Sequence, residues 1–333
     1  MTDVYWERVA AVAAALQAAA ANGEDQGGDH ELVARLTLPQ SAEAGYLKPA
    51  ADVREATVPS PAQPVPVRIY RPHGDVPGDG AARPLLIWCH GGAFLGGDLD
   101  MPEADAVARE IVNRSAAVVI SVDYRLCLGG VHFPAPSDDL VAVFEWAVRH
   151  AATLGVDPSR IVIGGASAGA CLTAGVALRL SAAGATQPAA VVLAYPVVHA
   201  VLPAASYELA TKLADLPAAM AFTPEVIEPV MENYLGAPAA DATAYAIAGV
   251  SDSAALAALP PTLIINCEYD GLRASGERYA DQLREAGVEV DVQLARDVAH
   301  GHLNRPGLPE AQRTLATIAM WVAERCVAEH AGA

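Results

Sequence analysis

A serine alcohol attacks a carbonyl only when a base takes its proton and an acid fixes the orientation of that base. The sequence supplies such a set in one chain order: Ser167 in GASAG (165–169), Asp270 in EYDGLRASG and His300 in DVAHGHLN. G-x-S-x-G is the pattern of a nucleophile elbow, a sharp strand-to-helix turn in which the serine is strained and small neighbours allow close backbone approach. In a chain this rich in alanine and glycine, the pentapeptide alone does not separate a nucleophile from a structural serine. Its place does: the residues before it read as a buried strand and those after it as a helix, whose N-terminus favours negative charge. Asp270 follows the apolar run TLIINC and His300 follows the next strand, so both fall in strand-terminal loops on the same sheet edge as Ser167. Serine, acid, histidine is the order expected for this elbow. Glu268 and His302 lie two residues from these positions; the assignment taken is Asp270 over Glu268 and His300 over His302.

Acyl transfer also needs backbone donors aimed at a developing oxyanion. HGGAFLGGD, His90–Asp98, is a glycine-rich loop after the strand LLIWC. Gly91, Gly92 and Ala93 could supply amides there, and Ala168 the amide after the nucleophile. A plain glycine turn or a phosphate cradle would use the same residue types, but a phosphate loop wants GxxxxGK[ST] and no lysine follows here.

The elements that must hold these residues alternate. Short apolar runs at Leu85–Cys89, Ala117–Val122, Ile161–Ile163 and Ala190–Tyr195 are separated by helical stretches around Glu103–Arg114, Asp138–Ala152 and Ala168–Leu180. That is the rhythm of a parallel sheet with helices on both faces, an α/β fold. VPVRIYRP alternates like an edge strand. From Val197 to about Leu259 the rhythm stops, with helical pieces and no strand. PTLIINCEYD then resumes the sheet, followed by helix Ala274–Ala286, strand VEVDVQLA and a last helix Pro309–Glu329. An insertion at this point sits above the carboxyl ends of the strands, where open α/β sheets bind ligands.

The 333 residues carry a net charge of −18, which repels a phosphate backbone or an anionic membrane and argues against nucleic acid and membrane partners. The five cysteines, Cys89, Cys127, Cys171, Cys267 and Cys326, show no zinc spacing and read as reduced core thiols, which suits a cytoplasmic protein. The apolar run Val9–Ala21 follows Asp3, Glu7 and Arg8 rather than a basic cluster, so it reads as an amphipathic or lid helix and not as a signal peptide.

The sequence resembles the bacterial hormone-sensitive-lipase-like esterases, a branch of the α/β-hydrolase fold, from about Pro64 onward. The resemblance rests on HGGAF (90–94), VDYRL (122–126), FPAPSDDL (133–140), GASAGA (165–170), LPPTLIINCEYDGLRASGERYADQLREAGVEV (259–290) and AHGH (299–302). It implies Ser167, Asp270 and His300 as the triad, Gly92, Ala93 and Ala168 as oxyanion donors, and hydrolysis of carboxylic esters without metal or organic cofactor. It also implies a core made of 51–198 and 259–333, an N-terminal cap segment 1–50, a cap insertion 199–258, and a homodimer. Candidate pocket residues are Phe94, Met220, Phe222, Met231 and Tyr234. With aromatics at only 5% of residues, a modest pocket for short or medium acyl chains is expected. Amide, lactone or carbamate cleavage by the same triad, and a non-catalytic small-molecule-binding role, are the alternatives. The chain departs from the family pattern at Ala93 and Ala166, in the longer loop CLGGVHFPAP, and at His302, where the family usually has phenylalanine.

Overall fold

Val118–Val122 (VVISV) and Ala190–Ala194 (AVVLA) are buried at every residue, which a strand achieves only inside a sheet covered on both faces. In the computed structural model, which describes residues 45–74, 82–214, 216 and 221–324, they belong to one eight-stranded sheet. Its strands are β1 (Ala51–Val58), β2 (Val65–Pro72), β3 (Arg83–Cys89), β4 (Val118–Val122), β5 (Val156–Ala166), β6 (Ala190–Ala194), β7 (Thr262–Tyr269) and β8 (Val290–Ala299). The spatial order is β1-β2-β4-β3-β5-β6-β7-β8. β2 is antiparallel to both its neighbours, and every pairing from β4 to β8 is parallel.

The main helices are α1 (Pro102–Ser115), α2 (Ala135–Arg149), α3 (Ala168–Ala182), α4 (Tyr207–Leu213), α5 (Pro224–Leu235), α6 (Arg273–Glu285) and α7 (Pro309–Glu324). The period of two along β3 divides the core between the two sheet faces. Leu85, Ile87 and Cys89 pack with Phe144 of α2 and Leu172 of α3, whereas Leu86 and Trp88 pack with Ile111 of α1 and Ile318 of α7. Each such buried side chain stabilises the fold by roughly 1.5–3 kcal/mol relative to exposure.

Three elements differ from expectation. β1 is a strand that the pattern ADVREATV does not announce: it pairs only with β2, and Arg54 and Glu55 stand exposed, so no apolar run marks it. β5 is 11 residues long because pairing with β3 extends back to Val156. α2 begins at Ala135, three residues early, with proline in its first turn, where a missing N–H costs no hydrogen bond. The Val9–Ala21 run, residues 1–44 of the N-terminal cap segment, Met220, Cys326 and the end of the last helix lie outside the described residues.

The parallel strands share one carboxyl edge. Ser167 follows β5 at the sheet centre, the HGGAF loop follows the adjacent β3, and Asp270 and His300 follow β7 and β8.

Candidate active site

Ser167 has φ 53° and ψ −115°, outside the basins that L-residues ordinarily occupy. Close packing enforces this turn. A Cβ on Gly165 would lie 2.5 Å from the Gly169 backbone, and one on Gly169 would lie 2.3 Å from the Cys89 carbonyl oxygen, so both glycines of the pentapeptide are required by space. The Ser167 N–H donates to the Ala194 carbonyl at 2.9 Å, tying the elbow to β6. Its side chain does not cap α3, leaving the hydroxyl for another partner.

That partner is His300. Its Nε2 lies 2.8 Å from Ser167 Oγ and its Nδ1 lies 2.7 Å from Asp270 Oδ2. Asp270 is fully buried, and its other oxygen, Oδ1, accepts the Leu272 N–H at 2.9 Å. The ring of Phe222 lies over His300 at 4.3 Å between centroids, and Tyr195 stands edge-on at 5.0 Å. The structure thus brings Ser167, His300 and Asp270 into one hydrogen-bonded chain.

The neighbouring acid and histidine are committed elsewhere. Glu268 binds Lys212 of α4 at 2.7 Å and the Asp297 N–H at 2.8 Å. Burial raises its pKa, and these two bonds outweigh that and hold it below the ordinary carboxylate value. His302 is wedged between Cys267 Sγ at 3.2 Å and Thr314 Oγ1 at 2.8 Å. Burial first, and the charge of His300 second, push its pKa down to about 3. A histidine that titrates near 6.5 in the unfolded chain and far lower in the fold takes up its proton preferentially on unfolding. Stability therefore falls as pH drops below about 6.5, by up to about 1.4 kcal/mol per pH unit for this group. His302→Phe is expected to flatten the decline of melting temperature between pH 7 and 5 relative to wild type, read by thermal unfolding across that range.

The HGGAF loop is held from several sides. Tyr124 Oη donates to the His90 carbonyl at 2.9 Å, and the His90 ring stacks on Tyr124. Because a carbonyl only accepts, His90 Nδ1 carries the proton that it gives Gly91 O at 2.6 Å. Gly92, Ala93 and Phe94 have φ of 117°, 55° and 61°. A Cβ on Gly92 would lie 2.1 Å from the Gly96 carbonyl oxygen, so that turn admits glycine alone. Of the four expected donors, Gly91 is corrected: its N–H is spent on Glu103 Oε2. The N–H groups of Gly92, Ala93 and Ala168 have no acceptor among the described residues.

The pocket expectation is corrected as well. Phe94, Met231 and Tyr234 are fully buried, with Phe94 stacked on Tyr234 at 4.0 Å, so they form core rather than accessible wall. Phe222 alone of the described four lies against His300. The departures from the family pattern find partners. The longer loop is fastened to α5 by His132 Nδ1 to Asn233 O at 2.6 Å, Asn233 Nδ2 to Cys127 O at 2.9 Å and Phe133 N–H to Tyr234 O at 2.7 Å. Arg125 and Asp139, from VDYRL and FPAPSDDL, form a bidentate pair at 2.8 Å that fixes the start of the same loop. Ala166 is buried against the sheet face.

Sequence reasoning missed Glu103, Tyr195 and Asn304, which surround the loop. An acid in the first turn of a helix is an ordinary complement to the dipole, and nothing in the local pattern marks Glu103 out. Among the described residues no group of three or more His, Cys, Asp or Glu side chains is arranged to hold a metal ion.

A mostly parallel sheet with a strained serine at its central elbow, hydrogen-bonded to a histidine and through it to an aspartate from later strands, is the architecture of an α/β hydrolase. The chain belongs to the α/β hydrolase fold family, whose sequence profile matches residues 86–304. Carboxylesterase NlhH of Mycobacterium tuberculosis is 35% identical over 274 residues, 82% of each chain. Ethyl acetate hydrolase of Pseudomonas putida is 30% identical over 247 residues, 74% of each chain. Among solved structures, an esterase of Pyrobaculum calidifontis superposes with a TM-score of 0.74 at 31% identity, covering 86% of this chain and 89% of that one. The resemblance to hormone-sensitive-lipase-like esterases is thereby borne out.

Proposed function

We propose that this carboxylic ester hydrolase cleaves esters of short to medium acyl chain through an acyl-enzyme on Ser167. The observation that carries the reading is the continuous path Ser167 Oγ, His300 Nε2, His300 Nδ1, Asp270 Oδ2, with links of 2.8 and 2.7 Å. His300 takes the hydroxyl proton as Oγ attacks the ester carbonyl. The oxyanion of the tetrahedral intermediate is received by the free N–H groups of Gly92, Ala93 and Ala168, and Asp270 holds the imidazolium. His300 then gives its proton to the leaving alcohol, and the same base activates water to release the acid.

Residues 199–258, with the N-terminal segment 1–50, act as the cap in this reading. Support comes from α4, bound through Lys212 to Glu268 beside Asp270, and from Phe222 on His300. The preference for modest acyl chains is supported by the burial of Phe94, Met231 and Tyr234 in core contacts and by a relative that hydrolyses ethyl acetate. No described helix is long and apolar enough to cross a membrane. Four buried free thiols among the described cysteines fit the cytoplasm as the working compartment. Two copies would pair along β8, one of the two edge strands of the sheet.

Initial rates on p-nitrophenyl esters from acetate to palmitate test the substrate class. The specificity constant is expected to fall by about tenfold or more between the best short or medium ester and palmitate. Equal turnover of palmitate would overturn the chain-length preference, and no turnover of any ester would overturn the esterase reading.

A further inference from the structure

Glu103, in the first turn of α1, is only 1% exposed. A carboxylate that deep costs free energy unless its oxygens are fully bonded. Salt bridging does not satisfy it: among the described residues no lysine, arginine or histidine lies within ion-pair distance. Oε2 instead accepts the Gly91 N–H at 2.5 Å, and Oε1 accepts the Tyr195 hydroxyl at 2.5 Å and Asn304 Nδ2 at 3.1 Å. The Glu103 backbone is pinned as well, its carbonyl by Trp88 Nε1 at 2.8 Å and its N–H by Asn304 Oδ1 at 3.2 Å.

These bonds gather three separate segments. Gly91 opens the oxyanion loop. Tyr195 follows Ala194, the residue whose carbonyl holds the Ser167 N–H, and its ring stands edge-on to His300. Asn304 belongs to the turn just after His300. The bonded glycine also lies beside the nucleophile, with no room for a side chain between them: a Cβ on Gly91 would lie 3.1 Å from Ser167 Cβ.

We propose that Glu103 is a positioning residue for the oxyanion loop: its carboxylate turns the Gly91 N–H inward, so that the Gly92 and Ala93 N–H groups stay free and aimed at the reacting carbonyl. Charge-assisted hydrogen bonds are roughly twice as strong as neutral ones, and donors fixed before the reaction cost no reorganisation during it. Removing the side chain leaves Gly91 unpaired and lets the loop relax, and removing the charge alone weakens the bond that holds it. The inference rests on the serine esterase reading above.

The test compares Glu103→Ala, Glu103→Gln and Tyr195→Phe with wild type on p-nitrophenyl acetate, and measures inhibition by a trifluoromethyl ketone, whose serine adduct places an oxyanion in the same hole. Glutamine keeps an oxygen for Gly91 but turns an amide group toward two donors. Glu103→Ala is expected to lose about 100-fold in kcat and Glu103→Gln about tenfold, with KM within about threefold, which is the scale of a displaced oxyanion donor. Ketone affinity should weaken in step with kcat, as for any transition-state mimic. A folded Glu103 variant with kcat within about twofold of wild type, a loss carried by KM, or a fall in kcat with ketone affinity unchanged would each overturn the proposal. If the alanine variant does not fold, the near-isosteric Glu103→Gln and Tyr195→Phe carry the same comparison. A wild type that turns over no ester overturns the esterase reading; an active wild type with unaltered Glu103 variants overturns this inference alone.

Discussion

Ser167→Ala is expected to lower kcat on p-nitrophenyl acetate by about 10⁴–10⁶-fold, the range seen when the nucleophile of a Ser-His-acid triad is removed. The change deletes one oxygen and leaves the elbow as it is. Alanine adds no atom to a site where the two flanking glycines already bear the close contacts, and the Ser167 N–H still reaches Ala194 O. The lost hydroxyl made one hydrogen bond, to His300, worth about 1 kcal/mol net, so the melting temperature should shift by only a few degrees. Turnover and fold are therefore separable in this variant. The residual rate has a source: the Gly92, Ala93 and Ala168 amides remain and still favour an oxyanion formed by water attack. A folded Ser167→Ala that keeps about a tenth or more of wild-type turnover would mean that another group attacks the ester, and the acyl-enzyme mechanism would fall.

How much of this was legible in the sequence depends on what each residue answers to. The central strands were legible because β4 and β6 are buried on both faces and are written as near-continuous apolar runs, broken only by Ser121. β1 was not, because an edge strand that pairs on one side can carry Arg54 and Glu55 in solvent. The serine, acid and histidine could be placed on one sheet edge from strand order alone, and the structure puts them within bonding distance. The HGGAF loop was legible only as a set of amides. One of them, the Gly91 N–H, is taken by Glu103, a carboxylate 12 residues further on, and no local pattern announces that an acid on a helix will turn inward. The aromatic residues failed for a related reason: type and position do not tell a pocket wall from a core stack. Phe94 and Tyr234 lie face to face with no exposed surface, while Phe222, of the same type, covers His300.

Asp270→Asn is expected to lower kcat by about 10⁴-fold with little change in KM, and the reason lies in a backbone amide. Asp270 uses both oxygens: Oδ2 receives His300 Nδ1–H, and Oδ1 receives the Leu272 N–H in a fully buried site. Asparagine has one oxygen for two donors. If it serves Leu272, the amide NH₂ faces His300, the imidazole must accept at Nδ1 and therefore carries its proton on Nε2. An Nε2–H pointing at Ser167 Oγ cannot take the hydroxyl proton. The flipped amide would keep the right tautomer but set NH₂ against the Leu272 N–H, and an unsatisfied buried donor costs about 1–3 kcal/mol. The Leu272 amide thus selects the inactive tautomer. Glu268→Gln provides the contrast, since that side chain faces Lys212 and Asp297 rather than His300; its kcat should stay within about threefold of wild type. The measurement is kcat for both variants, together with ¹⁵N chemical shifts of the His300 ring, which distinguish the two tautomers. A loss of less than about tenfold in Asp270→Asn, with the ring still protonated on Nδ1, would show that packing by Phe222 and Tyr195 orients His300 without the aspartate.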